Sequence, residues 1–441
     1  MRGRYFLCAF AIVAPTVLRA QTPQPRPTPA RDSVARADSI ARADSIAIVR
    51  ELEAGAANPG SSSPDSPTVP ARGGPSNPRL MPDISAIGEV IGDFSPRGST
   101  QESGKRVDIR EIELALSSAV DPYFRADFIL GISDLEGIAV EEAYITATAL
   151  PKQIAARIGR FHMPFGKQNT THRAELQAIE YPHVIQQFLG PEGLKGTGLW
   201  LSRVFAPLGF YQELQLTGVN QIGEPEGDLI AAEAANRSLA GLGVSARLRN
   251  YWDLSESTNL ELSGSAATGR RAQPISCDLA IDCQFAVEVN AVNARQSLIG
   301  ADVTYRWRPL QQGLYKSFIV QAEVMRQINQ WDDDLRRDVQ SAEFSGPTRN
   351  ASGAYLFSRY QLSRRTYLGG RYDWVQDALA DADSREKTLT AASGYLQFFP
   401  SEFSKFVLGF ERQFAAGERK GVNRILLQST FAVGPHRPHP F

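Results

Sequence analysis

Ionised side chains set at every second position are the groups through which this 441-residue chain could act. In 123–133, Arg125 and Asp127 alternate with Phe124, Ala126, Phe128, Leu130 and Ile132; in 297–308, Asp302, Arg306 and Arg308 alternate with Ile299, Ala301, Val303, Tyr305 and Trp307. Successive side chains of an extended strand point to opposite faces, so this spacing gathers charge on one face and apolar groups on the other. The same parity along the chain puts Arg125, Arg157, Arg247, Arg249, Arg306, Arg308, Arg359 and Arg371 on the polar face. Glu111, Glu113, Asp127, Glu142, Glu213, Glu261, Asp302, Glu323, Asp373 and Glu411 share it. A wall of fixed charge sorts small ions electrostatically. With both signs abundant, two arrangements stay open: an arginine ladder that attracts anions, or a lining of salt bridges whose fields cancel.

Other chemistry is sparse. The sequence holds no phosphate-cradling glycine loop, paired-cysteine motif, His-Glu-x-x-His or nucleophile elbow. His162, His172 and His183 lie about ten residues apart, without the i, i+4 spacing of a helical metal site, so no metal and no other cofactor is expected. The nearest enzymatic arrangement is His162 activating Ser202 at a lipid-facing rim, and it lacks a third member. The run Trp331-Asp332-Asp333-Asp334 reads either as a solvated acidic loop or as a calcium or lipopolysaccharide-bridging site. Basic and acidic residues number 47 and 48, for a net charge of -1, which argues against a nucleic-acid partner.

Strands must position these charges. From Met81 onward sixteen alternating segments follow one another, at about 82–92, 106–119, 123–133, 138–150, 153–162, 196–205, 209–219, 237–250, 257–268, 297–308, 314–328, 351–363, 366–376, 388–399, 404–414 and 422–433. Every second connection is tight: Val120–Pro122, Pro151–Lys152, Ala206–Leu208, Tyr251–Glu256, Pro309–Gly313, Arg364–Arg365 and Pro400–Phe403. The intervening ones are long except at 134–137. Short periplasmic turns alternating with long external loops are expected of a membrane barrel, and an even strand count returns both termini to the periplasm. No apolar run approaches the ~18 residues of a helical span, whereas Val422–Val433 is long enough to cross as a tilted strand of ~9–11 residues and to close the sheet against the first.

Alternation alone also fits a soluble sandwich. Trp200, Trp252, Trp307, Trp331 and Trp374 are read at strand ends, where interfacial aromatic girdles lie, and this favours the barrel. The expected fold is therefore all-β, a sixteen-stranded antiparallel transmembrane β-barrel over 81–441. Two arginines resist the parity: Arg160 has the phase of Ile154 and Ile158, and Arg412 that of Phe406, Leu408 and Phe410. A bulge or a place at the rim would resolve each.

The connection 163–195 is the longest insertion, with a helical-looking Glu175–Phe188. Folded inward, it would narrow the channel with Lys167, Arg173, Glu175, Glu180 and Lys195; folded outward, it would be a lid.

Upstream, Arg2 and Arg4 precede the apolar run Tyr5–Leu18, so 1–20 reads as a signal peptide. Residues 21–54 hold a proline-rich spacer and a six-residue repeat, Asp32–Ala37, Asp38–Ala43 and Asp44–Ile46, expected to be helical. That period turns Val34, Ile40 and Ile46 onto different faces and draws no coiled-coil seam, so a solvated helix and a periplasmic rod that tethers the envelope both stay open. Residues 55–80 read as disordered linker. In an exported, oxidising setting Cys277 and Cys283 are expected to form a disulfide.

The motifs Arg110–Leu114, Val120–Asp127, Glu141–Tyr144, Gly159–Gly166, Gly193–Gly198, Arg371–Asp373, Phe399–Ser404 and Gly434–Phe441 together resemble the phosphate-selective porin O and P-like outer-membrane proteins. The likeness runs from about Met81 onward, with the large loops unmatched. It implies a porin in the outer membrane, in contact with lipid and lipopolysaccharide and passing small solutes or anions. A homotrimer and a helical periplasmic segment are among the expectations it brings. Members named for phosphate carry a lysine cluster beside the lumen arginines; no lysine cluster stands among the polar-face residues here.

Overall fold

The computed structural model describes residues 82–134, 137–223, 242–270, 276–277, 295–330, 344–345, 350–376, 388–415 and 421–434. The segments assigned to 1–80, the run Trp331–Asp334 and the expected Cys277–Cys283 disulfide lie outside what is described.

Sixteen strands close into one antiparallel barrel, each paired with its neighbours in the chain. They are β1 (Asp83–Asp93), β2 (Val107–Ala119), β3 (Phe124–Ser133), β4 (Gly137–Ala147), β5 (Ile154–His162), β6 (Lys195–Phe205), β7 (Tyr211–Val219) and β8 (Gly243–Ser255). The second half is β9 (Thr258–Arg270), β10 (Arg295–Trp307), β11 (Phe318–Gln330), β12 (Ala351–Ser363), β13 (Thr366–Gln376), β14 (Thr388–Ser401), β15 (Ser404–Ala415) and β16 (Val422–Val433). Closure is by β16 on β1, with Ala86 opposite Val433 and Asp93 opposite Leu426. A two-residue ribbon, Ser276–Cys277 with Phe344–Ser345, joins two of the long connections.

The two faces of the sheet differ as lipid outside and charge inside require. Leu262, Ile299, Val324 and Leu356 are 46–55% exposed on the outer face, while Glu261, Asp302, Glu323 and Tyr355 on the inner face are at most 2% exposed. A water-soluble sandwich would have the reverse.

The eighth strand is the main displacement from expectation. It runs to Ser255, because Tyr251, Trp252 and Asp253 pair with Glu261, Leu260 and Asn259 and the turn tightens to Glu256–Ser257. Trp200 is also not at a rim: it lies within β6, 8% exposed, on the inner face.

The apolar core lies inside the barrel, under the connection between β5 and β6. Met163, Phe165, Ile179, Val184, Ile185, Phe188 and Leu194 pack there with the wall residues Leu298, Met325, Tyr355 and Val375. The connection contains the 3-10 turns Gln168–Thr170 and Arg173–Glu175 and one short helix, α1 (His183–Leu189), rather than a helix over 175–188. Pro182 explains the late start: it disfavours helical backbone at Tyr181, and itself forms the helix N-cap with φ -53 and ψ 143. At Gly353 on β12 the absence of a side chain admits Val184, since a Cβ there would come within 2.6 Å of Val184 Cγ2.

Candidate functional site in the barrel lumen

The 163–194 connection reaches the inner faces of strands all round the cylinder. Gly166 N donates to Ser265 Oγ on β9 at 3.0 Å, and Gln168 N to Glu323 Oε1 on β11 at 2.8 Å. His183 N donates to Asp373 Oδ1 on β13 at 3.1 Å, and Lys405 Nζ on β15 donates to the carbonyls of Ala174 and Leu176 at 2.8 and 3.2 Å. Gln397 on β14 bonds the Gln177 carbonyl. Only a segment inside a closed cylinder can touch these faces together. Asn169 pins its base: Nδ2 donates to Met163 O at 2.8 Å and Leu194 O at 3.0 Å, and Oδ1 accepts from Leu194 N.

Around this segment the inner charges form paired clusters. Glu261 on β9 lies 3.0 Å from Lys167 Nζ, 3.0 Å from Arg249, and 3.7 Å from both Arg247 and Arg306. Arg247 is also 3.2 Å from Asp302, and Arg249 is 3.5 Å from Glu213. Burial holds the Lys167 ammonium below the ordinary lysine range, against the pull of Glu261. Across the lumen, Arg371 is 2.6 Å from Asp373 and 3.5 Å from Glu411, and its Nη1 donates to Glu180 O at 2.6 Å. Glu180 bridges Arg110 at 3.0 Å and Arg424 at 3.2 Å. Burial pushes the Glu180 carboxyl up, but Arg110, Arg424 and Arg173 outweigh it and hold the group below its ordinary value.

Two inward arginines have no carboxylate within 4 Å among the described residues. Arg157 lies over the rings of Tyr144 and Trp200 at 4.8 and 4.5 Å, and Arg359 over Tyr367 at 4.7 Å. Both are nearer the tight-turn end of their strands. Arg125 is exposed there too, 3.5 Å from Asp127, whose Oδ1 accepts from Ser117 Oγ. Arg308 stands apart from the wall: it lies past the end of β10 and donates Nε to Gly313 O within the turn. Lys195 opens β6, buried and paired with Glu192, while Glu175 closes a 3-10 turn. Arg173 donates to Pro191 O at 3.2 Å.

A third cluster was not legible as a unit. β4 carries a bulge opposite Ile129 and Leu130, so the adjacent Glu141 and Glu142 are both buried on the inner side instead of alternating. His172 from the inner segment sits between them: Nδ1 is 3.2 Å from Glu141 and 3.4 Å from Glu113, and Nε2 is 3.2 Å from Glu142. Burial pushes the His172 imidazole down, and these three carboxylates more than compensate, holding it well above its ordinary value. His162 joins at a ring-centroid distance of 5.0 Å. The signal in the sequence was the Glu-Glu doublet, which strict alternation cannot place on one face. The same bulge serves Arg160, whose Nε reaches the Glu141 carbonyl at 3.4 Å. Arg412 is a rim residue, exposed over Phe414 at 4.9 Å.

Next to these groups, a cavity of about 260 Å³ opens toward the long connections, bordered by Arg110, Glu111, Arg173, Glu180 and Glu192. Ser202 is remote from His162: it pairs with Ala155 while His162 pairs with Lys195, roughly 23 Å away along the strand at ~3.3 Å per residue. Its hydroxyl instead donates to Glu213 at 2.6 Å. These two residues form no dyad.

No family model matches the chain. It is 27% identical over 346 residues to an uncharacterized protein of Aquifex aeolicus, a match covering 75% of this chain and 69% of that one. Among solved structures it is similar to a loop L8 deletion mutant of OmpT, an outer membrane protein of Vibrio cholerae, with a TM-score of 0.51 and 7% identity over 80% of this chain and 99% of the other. It is also similar to Pseudomonas putida OprB, with a TM-score of 0.51 and 9% identity over 80% and 94%. At such identities the likeness is one of fold, and the chain has the closed antiparallel β-barrel architecture found among outer-membrane proteins.

Proposed function

We propose that this protein is an outer-membrane porin through which small hydrophilic solutes and ions diffuse passively. The observation that carries the reading is the inverted barrel itself, apolar toward the outside and ionised within, with 163–194 folded across its interior. A cylinder of about sixteen strands is wide enough for an aqueous channel. In this reading Glu111, Glu113, Arg125, Asp127, Arg157, Arg247, Arg249, Arg306, Arg359, Arg371 and Asp373 line the path, and Lys167, Arg173 and Glu180 set its narrowest part. Residues 21–80 would stand on the periplasmic side, and the outer face would meet lipid and lipopolysaccharide.

Charge selectivity is then weak, because most inner arginines face a carboxylate within 4 Å and their fields cancel over a solute's diameter. An anion preference, phosphate included, would rest on Arg157 and Arg359, which aromatic rings hold in place of carboxylates. Single-channel recording of detergent-folded protein in a planar bilayer tests the reading. Open steps with a small reversal potential in a KCl gradient, and no block by phosphate, are expected. A heat-modifiable barrel that gives no steps overturns it.

A further inference from the structure

The β4–β5 wall and the inner segment meet at an arrangement that the channel reading does not use. His162 Nε2 is 3.0 Å from Glu192 O. A carbonyl only accepts, so Nε2 carries the hydrogen, and in the neutral ring Nδ1 then holds the lone pair. That Nδ1 is buried, makes no hydrogen bond, and points toward Glu142 Oε1 at 3.4 Å; the His162 side chain is 4% exposed. Two lone pairs facing each other in a dry site repel unless a positive centre lies between them. His172 brings its Nε2 to the other Glu142 oxygen at 3.2 Å while its Nδ1 faces Glu113 and Glu141, so a metal ion would take the place of the Nε2 proton. One ligand atom from each of Glu142, His162 and His172 lies within 4.8 Å of the others.

We propose that Glu142, His162 and His172 form a binding site for a divalent transition-metal ion of the zinc class. Distances favour a cation over a plain hydrogen-bonded cluster. Charge-assisted N–H···O bonds run to ~2.7–2.9 Å, shorter than the 3.4 Å between His162 Nδ1 and Glu142, whereas the 3.2 Å His172 contact is within hydrogen-bond reach. Ligands ~2.0–2.1 Å from a tetrahedral ion stand about 3.3 Å apart; His162 Nδ1 is 3.4 Å from Glu142 Oε1 and His172 Nε2 is 3.2 Å from Oε2, so the ion would sit against both oxygens of the carboxylate. Imidazole nitrogens with a carboxylate select zinc, cobalt or nickel over calcium or magnesium. The Nε2–H of His162 on a backbone carbonyl is the orienting contact that metal-bound histidines usually have. Glu113 and Glu141, on the far side of His172, add the negative charge that a dication offsets. Because His172 comes from the inner segment and the other two ligands from the wall, the ion would fasten one to the other.

The test is cobalt titration of the full-length, detergent-folded protein after dialysis against a chelator. One equivalent of Co²⁺ should bind with the intense visible bands of tetrahedral coordination, and Zn²⁺ should displace it. His162→Ala and His172→Gln should each weaken binding by more than about 100-fold, beyond the 10–100-fold effect of outer-shell partners. His183→Ala, in the separate His183–Asp373–Glu411 cluster, should bind as the parent does. Heat-modifiable mobility confirms folding, and if His162→Ala does not fold, His172→Gln on the loop carries the comparison. A folded parent that retains no Co²⁺, or binding that the folded variants leave unchanged, overturns the proposal. Conductance does not enter the readout, so the result is independent of the channel reading.

Discussion

Glu261→Gln tests whether the inner charges govern ion flow. Glu261 is fully buried and has four cations within 4 Å: Lys167, Arg247, Arg249 and Arg306. The substitution keeps the shape and removes one negative charge. An ion passing ~7 Å away feels that change as 332/(80 × 7), about 0.6 kcal/mol in water. At 0.1 M salt, with a Debye length of about 10 Å, screening roughly halves it to ~0.3 kcal/mol. Anions gain what cations lose, so the anion-to-cation permeability ratio should rise about threefold with screening and about sevenfold without it. At 1 M salt, where the screening length is ~3 Å, the shift should nearly vanish. The assay is the reversal potential of single channels under a KCl gradient at both ionic strengths. Breaking a buried pair also costs about 3–5 kcal/mol of stability, so folding is checked first by heat-modifiable mobility. A folded variant whose reversal potential at 0.1 M equals that of the parent would refute the reasoning, because the path would then bypass this cluster.

Three further outcomes follow from the inner segment. Phe188→Ala empties a position that is 0% exposed, at a cost of about 3–5 kcal/mol; unitary conductance should rise and limited proteolysis should cut within 163–194. Asn169→Ala strands the Met163 carbonyl and the Leu194 N–H at the segment's base, while Leu194 O keeps Met163 N, at about 1–3 kcal/mol for each buried group left unsatisfied; noisier open-channel current is expected. The Glu180 carboxyl titrates below its ordinary range. Its contribution to docking is therefore complete above pH ~4.3 and is lost as pH falls through the depressed folded value. Conductance should step up in acid, below the ordinary carboxylate range, and Glu180→Gln should abolish that step.

Strands were the legible part of this molecule because lipid and lumen impose opposite chemistry on alternate residues. Ala351–Ser363, Thr366–Gln376 and Val422–Val433 have the boundaries that alternation alone assigns them. Where packing overrides the period, the structure departs from it. Tyr251-Trp252-Asp253 has the look of a turn, yet cross-strand pairing with β9 draws it into the sheet. Trp200 has the composition of a girdle residue, and Arg157 keeps it inside. The Glu141–Glu142 bulge needs a register that only the β3–β4 pairing supplies. In the inner segment the apolar residues, more than the charged ones, dictate the inward fold. Phe165, Ile179, Val184, Ile185 and Phe188 are more apolar surface than a loop bathed in water would display, and that density was the signal for an inward fold.

That apolar density also constrains how the lumen can conduct. A ring of hydrated charges has no reason to bind a chain segment, and ordering one costs about 1–2 kcal/mol per residue in backbone entropy. Burial of Phe165, Phe188 and their neighbours against Leu298, Met325 and Val375 offsets that cost on one side of the cylinder. Lys167 and Glu180 meet wall charges at the segment's edges, so the polar contacts fix its position while the apolar ones hold it in. A cavity bordered by Arg110, Glu111, Arg173 and Glu192 lies between the segment and the β1–β4 wall. A solute entering it would meet Arg110 and Glu111 on the wall side and Glu180 with Arg173 on the other. In the porin reading, the groups at that edge and the Glu261 cluster together, more than the total charge of the barrel, would set what passes.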